Sequence, residues 1–427
     1  MLTAARLGAA TLSAALLAGV AAGPALADGP APTPTPVAVP DGLYGKSDPT
    51  YDGVWRQALA LTALTAAKVT PADSAVNWLT GQQCEDGGWP SYRAAGAACD
   101  PKTEDSNATA VAIQALVALG AHQPAVDRGV AWLKANQNAD GSWAYNPGSP
   151  GDANSTGLAV NALFAARTDP ASVAKAGNDS GTGGAAGGGK NAFDGLARFQ
   201  LGCTAPADQR GAFAYQPDTA TGALTPNDLA SAQAALAAAG GHLPVATSVR
   251  ADAEPKALAC SDGSAPATVP HAEAGEAVGA YLAARLRAGD EHLTLVTPGA
   301  APSPDYTATA WAALALIQSG HPDRASGAVD WLDQQEDAWT KNGTDAGATA
   351  TLLLASEADH RPTSDLTAKL TALGPAPKAT AAASGEATPA SKKTDGIGQY
   401  WVIGIGLLIG IGGGLLLSLQ RKRNPNL

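Results

Sequence analysis

"QCEDGGW" (Gln83–Trp89) and "QNADGSW" (Gln137–Trp143) are two versions of one phrase. Each runs from a Gln through Asp-Gly to a Trp, and a further Trp (Trp78, Trp132) stands five residues before each Gln. Asp-Gly is turn chemistry, because glycine reaches positive φ without steric cost. The phrase reads as a joint: a helix ends at the Gln, the chain reverses, and the last Trp packs back. Cys84 has no counterpart in the second version, so it is an addition to the joint.

Prolines set the phase of a longer repeat. "KVTP", "GAHQP", "ARTDP", "GGHLP", "SGHP" and "ADHRP" end at Pro71, Pro124, Pro170, Pro244, Pro322 and Pro362, and each follows an alanine-rich apolar run. High helix propensity and helical spacing make each run a helix, and the Pro turn starts a second one. Upstream of the runs stand Asp48, Asp105, Asp152, Asp305 and Asp345, with Thr225 in the remaining copy. These are expected to cap the helices by accepting from free backbone N–H groups. Four copies carry a Thr four residues on: Thr109, Thr156, Thr309 and Thr349. Several second helices carry an aromatic–Leu pair, as at Trp78–Leu79, Trp132–Leu133, Tyr281–Leu282 and Trp331–Leu332. Six such hairpins predict an all-α ring, an α6/α6 toroid with alanine-rich helices inside; the rival arrangement is an open superhelix.

The two joints fit Q-x3-G-x-W, with degenerate copies at Gln200 to Phe213 and at Gln335 to Trp339. In phase with twelve helices, they resemble the QW repeat of squalene–hopene cyclases and, more broadly, the prenyltransferase/squalene oxidase repeat family. The resemblance covers the body, residues 41–374, and implies a terpenoid cyclase/protein prenyltransferase toroid with a central cavity. Transcobalamin-like toroids are secreted relatives on the same fold. Fold alone does not assign function.

The family chemistries fail on particular residues. Cyclisation uses DxDDTA with the middle Asp as acid, whereas "DSNATA" (Asp105–Ala110) has Asn107 there, which cannot donate a strong proton. Aromatic residues to face a carbocation are few: Trp55, Phe164, Tyr306 and Trp311 on the inner runs. The D-x-C zinc motif of prenyl transfer is missing, and His122, His242, His321 and His360 sit one per Pro turn, where a helix end suits them. No metal or other cofactor is expected. Cys84 is followed by Glu85 and Asp86, so a C-G-E-Q thioester is excluded.

The ends place the protein. Residues 1–27 read as a secretory signal peptide, with Arg6, an apolar stretch and "ALA" before Asp28. Residues 28–40 and 375–396 are Pro/Ala/Ser/Thr-rich linkers, the second a stalk. Residues 397–420 include the uncharged Tyr400–Leu419, long enough for a transmembrane helix, and the basic tail 421–427 places the C-terminus in the cytoplasm. Gly406, Gly410 and Gly414 share one face of that span and suit a homodimer. Four cysteines in an exported body favour two disulfides, and Cys84–Cys99 with Cys203–Cys260 is the most local of three pairings. The net charge of −11 and the lack of an extracellular basic block argue against nucleic acid as partner.

What remains is a membrane-anchored extracellular binding protein, with a corrinoid or an isoprenoid-like small molecule as the suggested ligand. Its candidate rim is Trp89, Tyr92, Glu104, Trp143, Tyr145 and Tyr306. Two other readings stay open: an enzyme, of the cyclase/prenyltransferase type or an α/α-toroid hydrolase, with unrecognised catalytic groups, and a cell-surface protein-interaction module.

Overall fold

The alanine-rich runs are helices: α1 (Gly53–Ala66), α3 (Ser106–Ala118), α5 (Ala153–Ala165), α7 (Asp228–Ala238), α9 (Tyr306–Gln318) and α12 (Ala346–Ala358). The computed structural model describes residues 38–175, 189–246, 254–260, 269–296 and 299–379. All but the last of these residues belong to one unit, Met1–Lys378. Each inner helix packs on the next, and α12 returns to α1, so the ring closes. Outside it lie α2 (Asp73–Gly81), α4 (Gln123–Ala135), α6 (Ala192–Ala197), α8 (His271–Ala288), α10 (Pro322–Gln334) and α13 (Ser364–Ala372), each against its inner partner. The outer helices are amphipathic; α4 buries Ala125, Val126, Gly129, Val130 and Leu133, the spacing of one helical face. The chain ends lock together, with Gly45 N–H donating to Leu373 C=O (3.0 Å) and Lys378 N–H to Thr70 C=O (3.0 Å).

Four of the expected caps hold. Asp105, Asp152, Asp305 and Asp345 accept from the N–H three residues on. Two differ. Asp48 accepts from Thr50, and Asp52 stands at the start of α1, where its carboxylate pairs with Arg56 (2.7 Å). Asn227, not Thr225, caps α7. Replacing Asp305 with alanine is expected to cost about 1 kcal/mol in urea denaturation, the usual loss for a removed cap.

The joints explain the repeated Thr. Thr109 Oγ1 accepts from Trp89 N–H (3.0 Å), Thr156 Oγ1 from Trp143 N–H (3.0 Å), and Ser231 Oγ from Phe213 N–H (2.8 Å). The Gln side chain staples neighbouring repeats. Gln137 Nε2 donates to Gly141 C=O (3.0 Å) in its own loop and to Val173 C=O (3.2 Å) in the next. Gly141 lies at φ +86°, and a Cβ there would fall 2.1 Å from Asn191 C=O, so only glycine fits the turn. In the last copy the chain after Gln335 continues as α11 (Glu336–Thr340). Trp339 therefore leaves the interior and stacks on Tyr306 (5.9 Å).

Two short antiparallel pairs interrupt the helices: β1 (Trp89–Pro90) with β2 (Glu104–Asp105), and β3 (Thr294–Leu295) with β4 (Ser303–Pro304). The disulfides are Cys84–Cys99 and Cys203–Cys260, the local pairing.

The ring axis differs from the family expectation of a cavity. Every residue of α9 from Ala308 to Ile317 and of α3 from Ala108 to Leu116 is buried, so among the described residues these helices pack closely around the axis. Small side chains let the inner helices close up: a Cβ on Gly157 of α5 would sit 3.0 Å from Ala234 Cα of α7. Trp311 fills space beside Trp55 (6.5 Å), and Gln114 accepts from Leu243 N–H (2.8 Å) of the α7–α8 connection.

Among the described residues no helix is long and apolar enough to cross a membrane. The signal peptide, nearly all of both linkers, the apolar stretch 397–420 with Gly406, Gly410 and Gly414, and the basic tail lie outside the described residues.

Candidate functional site: the mouth of the ring

At the N-terminal end of the inner helices a cleft of about 250 Å³ opens between Trp55 of α1, Asn107 of α3, Gln233 of α7 and Tyr145 from the second joint. Asp105 forms one wall. Its Oδ1 accepts from Ala108 N–H (2.5 Å) and its Oδ2 from Ser91 Oγ–H (2.8 Å). Ser91 has one proton, which it gives to Asp105, so Tyr145 O–H donates to Ser91 Oγ (2.9 Å). Burial pushes the Asp105 carboxyl up to about 6, against the opposing pull of these hydrogen bonds. Burial also raises Asp52 and Tyr145 above their ordinary values. Asn107 Oδ1 is buried without a hydrogen-bond partner. Asn154 of α5 donates to Gln233 Oε1 of the neighbouring α7.

A backbone rule places the rim. Val54 N–H donates to Ser91 C=O (2.9 Å), Ser106 N–H to Tyr145 C=O (3.0 Å) and Ala153 N–H to Tyr215 C=O (3.0 Å). Ser91, Tyr145 and Tyr215 are therefore equivalent, each two residues past the aromatic of its joint. That spacing is visible in "WPS", "WAY" and "FAY" and could have located the rim.

Of the six expected rim residues, Tyr145 reaches the cleft, at 43% exposure. Trp89 and Trp143 do not: both are 0% exposed, with indole N–H groups donating to Leu79 C=O (2.9 Å) and Leu133 C=O (2.8 Å). The joint needs them as anchors. Tyr92 is half-buried against Gly53 at the start of α1. Tyr306 begins α9 and stacks on Trp331 (5.3 Å), away from the cleft. Glu104 is 1% exposed and holds the Trp132 indole N–H (2.6 Å) beneath the β1–β2 pair. Its carboxyl lies near the sulfurs of Cys84 and Cys99, but these are bonded to each other and offer no thiolate to a metal.

Residues 41–161, which carry both intact joints and most of the cleft, match the family model of the squalene-hopene cyclase C-terminal domain. A squalene–hopene cyclase of Zymomonas mobilis subsp. mobilis is 38% identical over 101 residues, 21% of this chain. The match spans only 15% of that enzyme's length. A crystal structure of a protein from Actinoplanes is similar over 76% of this chain and 95% of its own, at 16% identity and a TM-score of 0.44. The joints, the helical ring and the match together support, for residues 41–161, a likeness to the terpenoid cyclase-like, prenyltransferase/squalene oxidase repeat family.

Proposed function

We propose that the mouth of the ring binds a small ligand outside the cell, on a protein tethered by its C-terminal apolar stretch. The observation that carries the reading is the convergence of polar groups from α1, α3, α7 and the second joint on one cleft. Two intramolecular disulfides suit an oxidising compartment.

Binding fits the cleft better than proton-driven cyclisation. The position of the cyclase acid holds Asn107, and the raised Asp105 beside it has one oxygen on a helix cap and the other on Ser91. The size of the cleft also bears on the ligand. About 250 Å³ is below the ~300–1,000 Å³ that encloses a drug-sized molecule. A corrinoid or a polyprenyl compound would place only one end in it.

Ligand-observed NMR on the full chain in detergent, with a library of small polar fragments, tests this. Fragments that bind the native protein should lose their signal with Asn107→Leu, which fills the cleft, while the urea midpoint stays within the error of the native protein. A library in which no fragment distinguishes the two proteins would sink the reading.

A further inference from the structure

The large apolar side chains that stay exposed are gathered at one end of the ring. Among the described residues they are Tyr51 (86% exposed), Tyr145, Tyr215, Leu295 and Val296 (70% exposed). Tyr51 precedes α1, and the carbonyls of Tyr145 and Tyr215 sit on the first turns of α3 and α5. Leu293 N–H donates to Thr309 Oγ1 (3.0 Å), as Trp89 N–H does to Thr109. Leu293 therefore holds the place of a joint aromatic, and Leu295 stands two residues past it, like Tyr145 and Tyr215. With Val296 it lines a groove of about 710 Å³ beside Asn227, Asp228 and Leu229 at the start of α7. The exposed residues thus follow an arc over successive inner helices, from α1 through α3 and α5 to α7. Helix spacings of about 10 Å make that arc roughly 30 Å long. An exposed apolar row marks a contact surface, and tyrosine gives broad contact at low entropic cost.

The same end is acidic. Asp52, Asp105, Asp152, Asp228, Asp305 and Asp345 stand at the starts of the inner helices. Arg56 pairs with Asp52 (2.7 Å), Arg285 with Asp228 (2.8 Å) and Lys341 with Asp345 (2.9 Å). Asp105, Asp152 and Asp305 have no ion pair among the described residues. A helix start carries about half a positive charge, which a whole carboxylate charge outweighs. Asp48 and Asp218, three residues from Tyr51 and Tyr215, are exposed and add to the surplus.

Charge decides between occupants. A second copy of this chain would set acid against acid across the contact, which costs affinity. A glycan would find neither a hydrogen bond nor a ring face on Leu295 and Val296. The described chain leaves the rim uncovered: Lys378, near its end, bonds Thr70 past the C-terminus of α1, at the opposite end of the ring.

We propose that the rim is a protein-docking surface whose partner presents lysine or arginine between apolar residues, in an extended segment of about nine residues to follow the arc. This goes beyond the small-ligand reading, because Tyr215, Leu295 and Val296 lie outside the cleft.

A library of random dodecapeptides displayed on phage, selected on the full chain in lipid nanodiscs, tests the proposal. The counter-selection uses the combined variant Tyr215→Ser, Leu295→Ser and Val296→Ser, whose urea midpoint should match that of the native protein because all three side chains are exposed. Peptides that distinguish the two proteins should be rich in Lys or Arg and in apolar residues. A synthetic copy of the most enriched peptide should bind the variant about tenfold or more weakly, the scale of losing contact anchors. Enrichment of acidic or uncharged peptides overturns the basic partner, and so does a library in which no peptide distinguishes the proteins. Pairing of native nanodiscs in sedimentation velocity, lost in the variant, would give the rim to a second copy instead. The fragment screen with Asn107→Leu reads the cleft separately, so either proposal can fail without the other.

Discussion

Trp143→Ala will lower the unfolding free energy of the ring by about 3–5 kcal/mol, the range for truncating a large buried aromatic. The residue is 0% exposed, so its loss leaves a cavity that the surrounding helices can only partly close. It also removes the indole N–H from the Leu133 carbonyl (2.8 Å), leaving that carbonyl the longer bond from Asn136 N–H (3.2 Å). The backbone bond from residue 143 to Thr156 survives the substitution. The measured loss therefore reports the side chain's seat and not the turn. Trp339→Ala is the control. That residue is the Trp of the degenerate last copy, four residues past its Gln instead of six, and α11 carries it to a half-buried position against Tyr306. Its truncation should cost no more than about 1–2 kcal/mol. Urea denaturation of the two variants decides: equal losses would show that the joint does not depend on a buried Trp.

Much of this architecture was legible because it is written in repeated side chains. Asp105, Asp152, Asp305 and Asp345 cap helices, Gln and Trp hold joints, and the sign of each role recurs down the chain. The rim was less legible because the repeated contact belongs to the backbone. A carbonyl accepts from the first turn of the preceding inner helix whether the residue is Ser91, Tyr145 or Tyr215, so the side chains are free to vary. The filled axis was illegible for another reason. Whether six helices enclose a cavity depends on the ring's radius, and that follows from contacts such as Gly157 against Ala234, between residues 77 positions apart. Gln233 lies on α7, the inner helix next to that of Asn154 but 79 residues on, and no local pattern signals that pairing. Glu104 shows the limit most directly. A carboxylate beside the first joint looked available to a ligand, and the pairing of Pro90 with Glu104 in the β1–β2 ladder puts it under the surface instead.

That burial gives the second large effect. Glu104→Gln will stabilise the protein near neutral pH by up to about 3 kcal/mol and leave it almost unchanged near pH 4.5. Burial, with the neighbouring Asp86 charge, pushes the Glu104 carboxyl from 4.5 up to about 7. In this interval the unfolded chain has lost the proton while the folded protein keeps it. The unfolded state then binds fewer protons than the native state, so stability falls as pH rises from about 4.5 to about 7. A shift of roughly 2.5 units at 1.36 kcal/mol each sets the upper bound. An amide in place of the carboxyl still accepts from the Trp132 indole and never ionises, so it escapes the penalty. Its NH2 group can donate to Asp86, whose charge now opposes ionisation of Glu104. Asp105, raised to about 6, adds a slope of the same sign below that pH. Because both proteins carry Asp105, the difference between them isolates Glu104. Urea denaturation of the native protein and the variant at half-unit steps from pH 4.5 to 8 measures that difference. It should climb through the interval and level off above about 7; a difference that stays flat with pH would mean that Glu104 ionises as readily in the folded ring as in the unfolded chain.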